Sequence, residues 1–403
     1  MAMRTQALFY DRPELDACEA VVIEVLPPSD AASGPGLILD RSVFYPEGGG
    51  QPCDLGTVAG LPLAWVGYEG DDIVHRLEGS AASTPADLPA PGSALACALD
   101  AARRADHSEQ HTAQHLLSAT ALRLLGAPTR SFHLGEAYSS IDLDLPELSR
   151  ADADHLEEAV IGAIREGYRI ITHLCPPEDP DSFPLRRRPP EGEAVLRILE
   201  IDGIDYTPCA GTHLRSTAAI GAFRILRAER YKGMTRLYFL AGGRAYRDYA
   251  ALAAGTREMA ALAGANEASL PERFAALKAR AEGLEADLRA AKAELWSARA
   301  GALASSSPPG PVALSLDDEG VEGAQALAKA LAAAGRIAVV AGLRELKLVA
   351  ARPEGGLDVS AAARPIASAK GGKGGGNAAL FQAAFPDRSS LVAAMEEIAC
   401  SMR

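Results

Sequence analysis

The sequence lacks a basic excess: Lys and Arg number 40 against 53 Asp and Glu, leaving a net charge of −13. That balance excludes a uniformly basic nucleic-acid coat. It lacks any apolar run near the ~20 residues of a membrane-spanning helix, so no membrane partner is expected. It lacks a secretory start, because Arg4, Asp11 and Arg12 interrupt the N-terminus before any long apolar stretch, and the cytoplasm is the expected compartment. Its six cysteines, Cys18, Cys53, Cys97, Cys175, Cys209 and Cys400, show no paired spacing, which argues against a disulfide framework. No repeat of roughly 20 to 50 residues is visible. What is there is a chain of 403 residues, 48% apolar and 23% charged, the balance of an ordinary globular protein. At roughly 150 residues each, that length holds two or three domains.

The fold class expected is α+β. Over residues 1–98, short apolar stretches at 20–26, 37–39, 61–66 and 73–77 alternate with Gly, Pro and Asp, predicting a small barrel-like β domain. Over 99–264 the pattern turns helical at 99–125 and again at about 152–167, with strands between and after, predicting an α+β domain. In the segment 265–304, Phe274, Leu277, Ala281, Leu284, Leu288, Ala291, Leu295 and Ala298 step by three and four, a heptad seam interrupted by Gly283 at a cost of ~1 kcal/mol. Such a helix either lies on its own chain or pairs with a second copy. The run 305–311 (SSSPPGP) reads as a linker. Residues 312–403 predict a small α/β domain, with strands at 312–316, 337–340 and 346–350, helices at 323–334 and 389–402, and a Gly-rich loop at 371–376.

The chemistry concentrates in two short motifs. His111 and His115 stand four apart in a helical stretch, so both imidazoles share one face. His107 extends that stripe by one turn. Cys209 and His213 are also four apart, with Gly211 between them. A set of three imidazoles and a thiolate suits a borderline-soft ion such as Zn²⁺, one per chain. The motif holds no Glu base, which weakens a protease reading.

HTAQHLLSA followed by CAGTH resembles the paired HxxxH and CxxxH motifs of the alanyl-tRNA synthetase editing domain. The run 44–56 (FYPEGGGQPCDLG) resembles that family's second signature, and 131–136 (SFHLGE) and 231–236 (YKGMTR) also match. The run 371–382 (GGKGGGNAALFQ) is similar to the Gly-rich loop of the domain that ends alanyl-tRNA synthetases and DHH-type phosphoesterases. With no aminoacylation domain ahead of these motifs, the likeness is to the long form of the trans-editing proteins called AlaX. The resemblance implies hydrolysis of the ester joining a wrong amino acid, Ser foremost and Gly second, to the 3′ end of tRNA(Ala). It also implies Zn²⁺ on His111, His115, Cys209 and His213, and a tRNA contact at Lys370 and Lys373.

Ester hydrolysis needs an activated water, an oxyanion stabiliser and a hold on the substrate. Gly48, Gly49 and Gly50 can bring backbone N–H groups close to a substrate oxygen, and Glu47 and Gln51 border them. Ser42, where relatives often carry Thr, is expected to offer a hydroxyl that recognises seryl substrates. His133 is expected to hydrogen-bond substrate or water, or to be structural. Between Arg215 and Arg247, Arg236 among them, eight basic residues face one acid, Glu229, a stripe suited to a phosphate backbone; Arg186, Arg187 and Arg188 add a second patch. Two other readings stand beside the deacylase: a zinc-stabilised tRNA-binding module without catalysis, and a metal-dependent hydrolase of a small ester or amide. The long helix at 271–300 and the C-terminal domain are the expected route to a homodimer.

Overall fold

The computed structural model describes residues 5–28, 34–79, 88–176, 182–189 and 195–403. The chain divides into two compact units, residues 1–256 and 257–403. Both mix helices with sheets, in keeping with the α+β class.

The first unit opens with β1 (Gln6–Ala7) and a single helical turn, α1 (Leu8–Asp11). Seven strands follow: β2 (Ala17–Leu26), β3 (Gly36–Leu39), β4 (Arg41–Ser42), β5 (Gly56–Val58), β6 (Leu61–Glu69), β7 (Asp72–Leu77) and β8 (Ala94–Leu99). Six of them close into a barrel in the order β2-β3-β7-β6-β5-β8, while β1 and β4 pair in parallel beside it. Alternation sends one face of each strand inward, and Leu37, Phe44, Val58, Val66, Ile73 and Leu77 fill the interior.

α2 (Ala101–Leu125) leaves the barrel directly. Asp100 caps it, accepting the Arg103 N–H at 3.0 Å, and Gly126 ends it at φ +61. Next come β9 (Thr129–Leu134), β10 (Ser139–Leu143), α3 (Arg150–Glu166), β11 (Ile170–Cys175), β12 (Leu196–Ile201), β13 (Asp205–Pro208), β14 (Phe223–Tyr231), β15 (Met234–Ala241) and α4 (Gly242–Ala263). These strands form an antiparallel sheet β14-β15-β10-β9 and a smaller one β11-β12-β13. Leu116 and Leu117 of α2, Leu156 and Val160 of α3, and Leu237 and Phe239 of β15 share one core.

α5 (Leu270–Ser306) begins the second unit's folded core. It takes in Ser305 and Ser306, so the linker expected from composition begins two residues too early: both hydroxyls bond back to carbonyls four residues earlier, at Gly301 and Ala302. β16 (Val312–Leu316), α6 (Val321–Ala333), β17 (Ala338–Gly342), β18 (Lys347–Ala351), α7 (Val359–Ala369), β19 (Lys373–Gly376), β20 (Leu380–Ala384) and α8 (Arg388–Ser401) complete the chain. The sheet runs β16-β17-β18-β20-β19. Alternate residues of β17 pack on opposite sides, Ala338 and Val340 with α6, Val339 and Ala341 with α7 and α8. The expected loop at 371–376 is largely strand. Cβ atoms at Gly374 and Gly376 would lie 2.0 Å from the carbonyl oxygens of Gln382 and Leu380, so these glycines permit close pairing of an edge strand.

Candidate metal centre and the cavity beside it

α2 is buried on most sides between Arg104 and Ala121, polar residues included. Buried polar groups need partners, and most have one: Gln110 bonds Ala241 through both its oxygen and its nitrogen, and Gln114 donates to Ser118 at 2.8 Å. The exceptions are imidazole nitrogens, both of His115 and Nδ1 of His107. Their burial makes a ligand set out of what composition alone leaves as polar surface.

The loop after β13 brings Cys209 and His213 against His111 and His115, and one ligand atom from each lies within 4.8 Å of the others. Cys209 Sγ is 3.2 Å from His213 Nε2 and 3.5 Å from His111 Nε2. Each imidazole has a polar group behind it, within hydrogen-bond reach of His111 and His213 and just beyond it for His115. His111 Nδ1–H donates to Gln51 Oε1 at 2.8 Å, and the same oxygen takes the Thr212 N–H at 3.0 Å. Asp205 Oδ2 lies 3.6 Å from His115 Nδ1, while Arg186 and Thr207 hold that carboxylate. Thr112 Oγ1 lies 3.4 Å from His213 Nδ1. Fixing the far nitrogen fixes the tautomer and turns the near one toward the ion. Gln51 is therefore a positioning residue, not a group aimed at substrate.

The charges fit a cation. Burial raises the Cys209 thiol, but His111, His213 and His115 outweigh it and hold the pKa well below the ordinary range. Burial lowers His213 to about 3 and lowers His111 as well, keeping both imidazoles neutral. Burial also disfavours charge on His115, yet Cys209 and Asp205 push its pKa up. A buried, acidified thiol among three imidazoles, one of them without a hydrogen-bond partner, is a donor set that could hold a metal ion.

The glycine run sits over this cluster. Arg104 reaches from α2 to Asp54 at 2.8 Å, and Asp54 in turn takes the Tyr45 N–H at 2.7 Å. Gly48 and Gln51 exchange backbone hydrogen bonds of 3.1 and 3.0 Å, which leaves the N–H groups of Gly49 (φ +58) and Gly50 (φ +84) at the exposed turn. Glu47 is exposed and accepts the Trp65 indole N–H at 3.0 Å. A cavity of about 880 Å³ opens here, bounded by Glu47, Gly48 and Gly49 on one side and Cys209 and Ala210 on the other.

Several expectations need correcting. Ser42 is fully buried in the barrel, where its hydroxyl lies 2.7 Å from His75 Nε2 and takes the Phe44 N–H at 3.1 Å; its hydrogen is committed, and it does not line the cavity. Phe132 stacks on His111 with centroids 5.2 Å apart, so its strand neighbour His133 faces the other way and is exposed. Arg236 is bound to Asp142 at 2.7 and 2.9 Å and lies 3.6 Å from the Tyr231 ring centroid. Arg230 pairs with Glu147, Arg215 with Glu14, and Arg244 with Asp106, so acids from other elements neutralise much of the stripe. Arg186 serves Asp205, and Lys370 pairs with Glu397 at 3.0 Å. Lys373 is exposed at the start of β19.

Barrel, helix and sheet thus define a protein with a cluster of three imidazoles and one thiol that could hold a metal ion, beside a glycine-lined cavity. Residues 196–238 match the family model described as the threonyl and alanyl tRNA synthetase second additional domain. Alanyl-tRNA editing protein Aarsd1-B of Xenopus laevis is 34% identical over 218 residues, 53% of this chain and 51% of that protein. An alanine–tRNA ligase of Cenarchaeum symbiosum is 33% identical over 265 residues, 63% of this chain and 28% of the ligase. Alanyl-tRNA editing protein AlaX-L of Pyrococcus horikoshii is 29% identical over 255 residues, 60% of this chain and 59% of that protein. The chain is thus similar to alanyl-tRNA editing proteins, and it spans about half the length of the curated relatives it matches.

Proposed function

We propose that this protein is a cytoplasmic trans-editing hydrolase that deacylates tRNA(Ala) carrying a wrong amino acid, Ser foremost and Gly second. The observation that carries the reading is the buried cluster of His111, His115, Cys209 and His213 within 4.8 Å, next to a cavity lined by Gly48 and Gly49. These four residues hold one Zn²⁺. Bound zinc supplies Lewis acidity, either to a water or to the hold on the substrate's amino group. Gln51, Thr112 and Asp205 keep the imidazoles oriented. The N–H groups of Gly49 and Gly50 stabilise a substrate oxygen as it gains charge, and the Glu47 carboxylate accepts from a ribose hydroxyl or the α-amino group.

Two features support further contacts. Phe274, Leu284, Leu288 and Leu295 of the α5 seam are 56 to 68% exposed, which favours pairing with a second copy over packing on the same chain. Of the two lysines expected to meet RNA, Lys370 pairs with Glu397 and Lys373 is exposed. Among the described residues no helix is long and apolar enough to cross a membrane.

The test is hydrolysis of Ser-tRNA(Ala), Ala-tRNA(Ala) and a seryl ester without RNA. The reading expects rapid loss of the first and survival of the other two. Turnover of the free ester at the same rate favours a small-molecule hydrolase, and tRNA binding with no turnover favours a binding module.

A further inference from the structure

Two of the six cysteines, 79 positions apart in the chain, meet in the barrel wall. Cys18 of β2 stands directly opposite Cys97 of β8 in antiparallel register, and opposed residues project from the same face of a sheet. Backbone bonds fix the register on either side: the Leu99 N–H donates to the Asp16 carbonyl at 2.8 Å and the Val22 N–H to the Ser93 carbonyl at 3.0 Å. Counted from those bonds, Cys18 and Cys97 occupy a hydrogen-bonded position. Cα atoms there stand ~5.5 Å apart, inside the ~4.4–6.8 Å that a disulfide spans. Both thiols are free. Among the described residues no other two cysteines oppose each other across a strand pair; Cys175, the remaining cysteine in a strand, faces Leu196.

The two sulfurs are unlike. Cys97 is 1% exposed and belongs to the barrel core, while Cys18 is half-buried and packs against that core. The Cys97 S–H donates to the Cys18 sulfur. That bond, with the Val43 N–H and the Arg41 guanidinium, outweighs burial and the Asp40 carboxylate and holds the Cys18 thiol below its usual range. The same bond keeps the proton on Cys97. Thiolate character and access select the sulfur that an oxidant reaches first, and a second thiol in contact resolves the product. We propose that Cys18 and Cys97 form a reversible disulfide couple, oxidised by hydrogen peroxide and reduced by small thiols. The Cys18 thiolate attacks one peroxide oxygen and the O–O bond breaks. A sulfenic acid is left, and the departing hydroxide takes up the proton that the thiol had released. The Cys97 sulfur then attacks Cys18, the S–O bond breaks, and hydroxide leaves with the Cys97 proton as water. Two thiols and one peroxide become one disulfide and two waters, the sulfurs giving up two electrons. Opposed Cβ atoms in a sheet stand ~4.5–5.5 Å apart against ~3.5–4.5 Å across a disulfide. Closure therefore pulls β2 and β8 together, and a bond formed under strain is readily reduced. The tie closes on the seam that leads through Leu99 and Asp100 into α2.

The experiment treats the full chain with a rising dose of hydrogen peroxide, blocks free thiols with N-ethylmaleimide and maps the digested peptides by mass spectrometry. The exposed Cys400 serves as the internal gauge of dose. In wild type a Cys18–Cys97 cross-link should appear in most chains, and reduced glutathione should return both residues as thiols. In Cys97→Ala, Cys18 should stop at a sulfenic acid that dimedone traps; in Cys18→Ala, Cys97 should stay a thiol at the same dose. Oxidised wild type should melt several degrees higher than reduced, because the cross-link closes a long loop in the unfolded chain, a rise that neither variant shows. Cys18 carried on to a sulfinic acid beside a free Cys97 overturns the couple. So does Cys18 linked to any other cysteine, or both thiols intact at a dose that oxidises Cys400. The decisive map is read on wild type, so it depends neither on the folding of the variants nor on deacylation.

Discussion

Gly211 stands where no other residue fits. A Cβ there would lie 2.2 and 2.3 Å from His111 Cε1 and Nδ1 and 2.9 Å from Gln51 Oε1. The ring cannot retreat, because Phe132 stacks on it and Gln51 holds its far nitrogen. Gly211→Ala should therefore purify with much less than one zinc per chain, measured by elemental analysis; a full complement contradicts the close packing. His75 carries a different consequence. Burial lowers its pKa to about 4 against a resistance from the Leu37 carbonyl, whereas an unfolded His titrates near ~6.5. The unfolded chain thus takes up the proton first as pH falls, so the stability from the neutral ring is complete above about pH 6.5 and drains away toward pH 4. Urea unfolding of the first unit, followed by Trp65 fluorescence in a Trp296→Phe background, should lose about 2 kcal/mol through His75 between pH ~7.5 and ~5. His75→Gln should reduce the loss by that amount; an unchanged loss contradicts the assignment. Both ligand pairs are legible in sequence because four-residue spacing is local. Their supports are not: Gln51 meets Thr212 across 161 positions, and Asp205 and Arg186 gave no sign of a role near a metal. A signal was available for Gln51, which closes the glycine run. Ser42 misled because its neighbours in sequence are in the site while its own side chain turns into the barrel.

At the scale of elements, periodicity marks α2, α3 and α8, and the structure adds a side-chain cap to each, from Asp100, Ser149 and Asp387. α7 escaped notice because Pro365 lies inside it, and α4 because it begins on Gly242 and Gly243, two residues that ordinarily end helices. The glycine strand β19 read as a loop for want of side chains. The heptad of α5 was legible, yet most of it remains exposed, with only Trp296 and Ala300 buried. Gly283 interrupts it with open space where a Cβ would stand. Gly283→Ala should accordingly stabilise the helix by ~1 kcal/mol and raise the second unit's melting midpoint by roughly 3 °C, read by Trp296 fluorescence. No rise, or a fall, contradicts an unobstructed helical position.

At the scale of the whole molecule, every ligand of the cluster and every residue that orients it lies in the first unit. The second unit carries an exposed apolar seam and a glycine edge strand. With a net charge of −13, the RNA contact proposed above would rest on local features rather than on the whole surface. The proposed deacylase requires the buried thiolate and imidazoles to form the hydrolytic metal centre. Single-turnover hydrolysis of Ser-tRNA(Ala) by wild type and by Cys209→Ala, with zinc measured in the same samples, tests it most directly. Expected are about one zinc in wild type, little in the variant, and a rate at least ~100-fold lower, the scale when a catalytic electrostatic contact is removed. Hydrolysis by Cys209→Ala at the wild-type rate without zinc would contradict it.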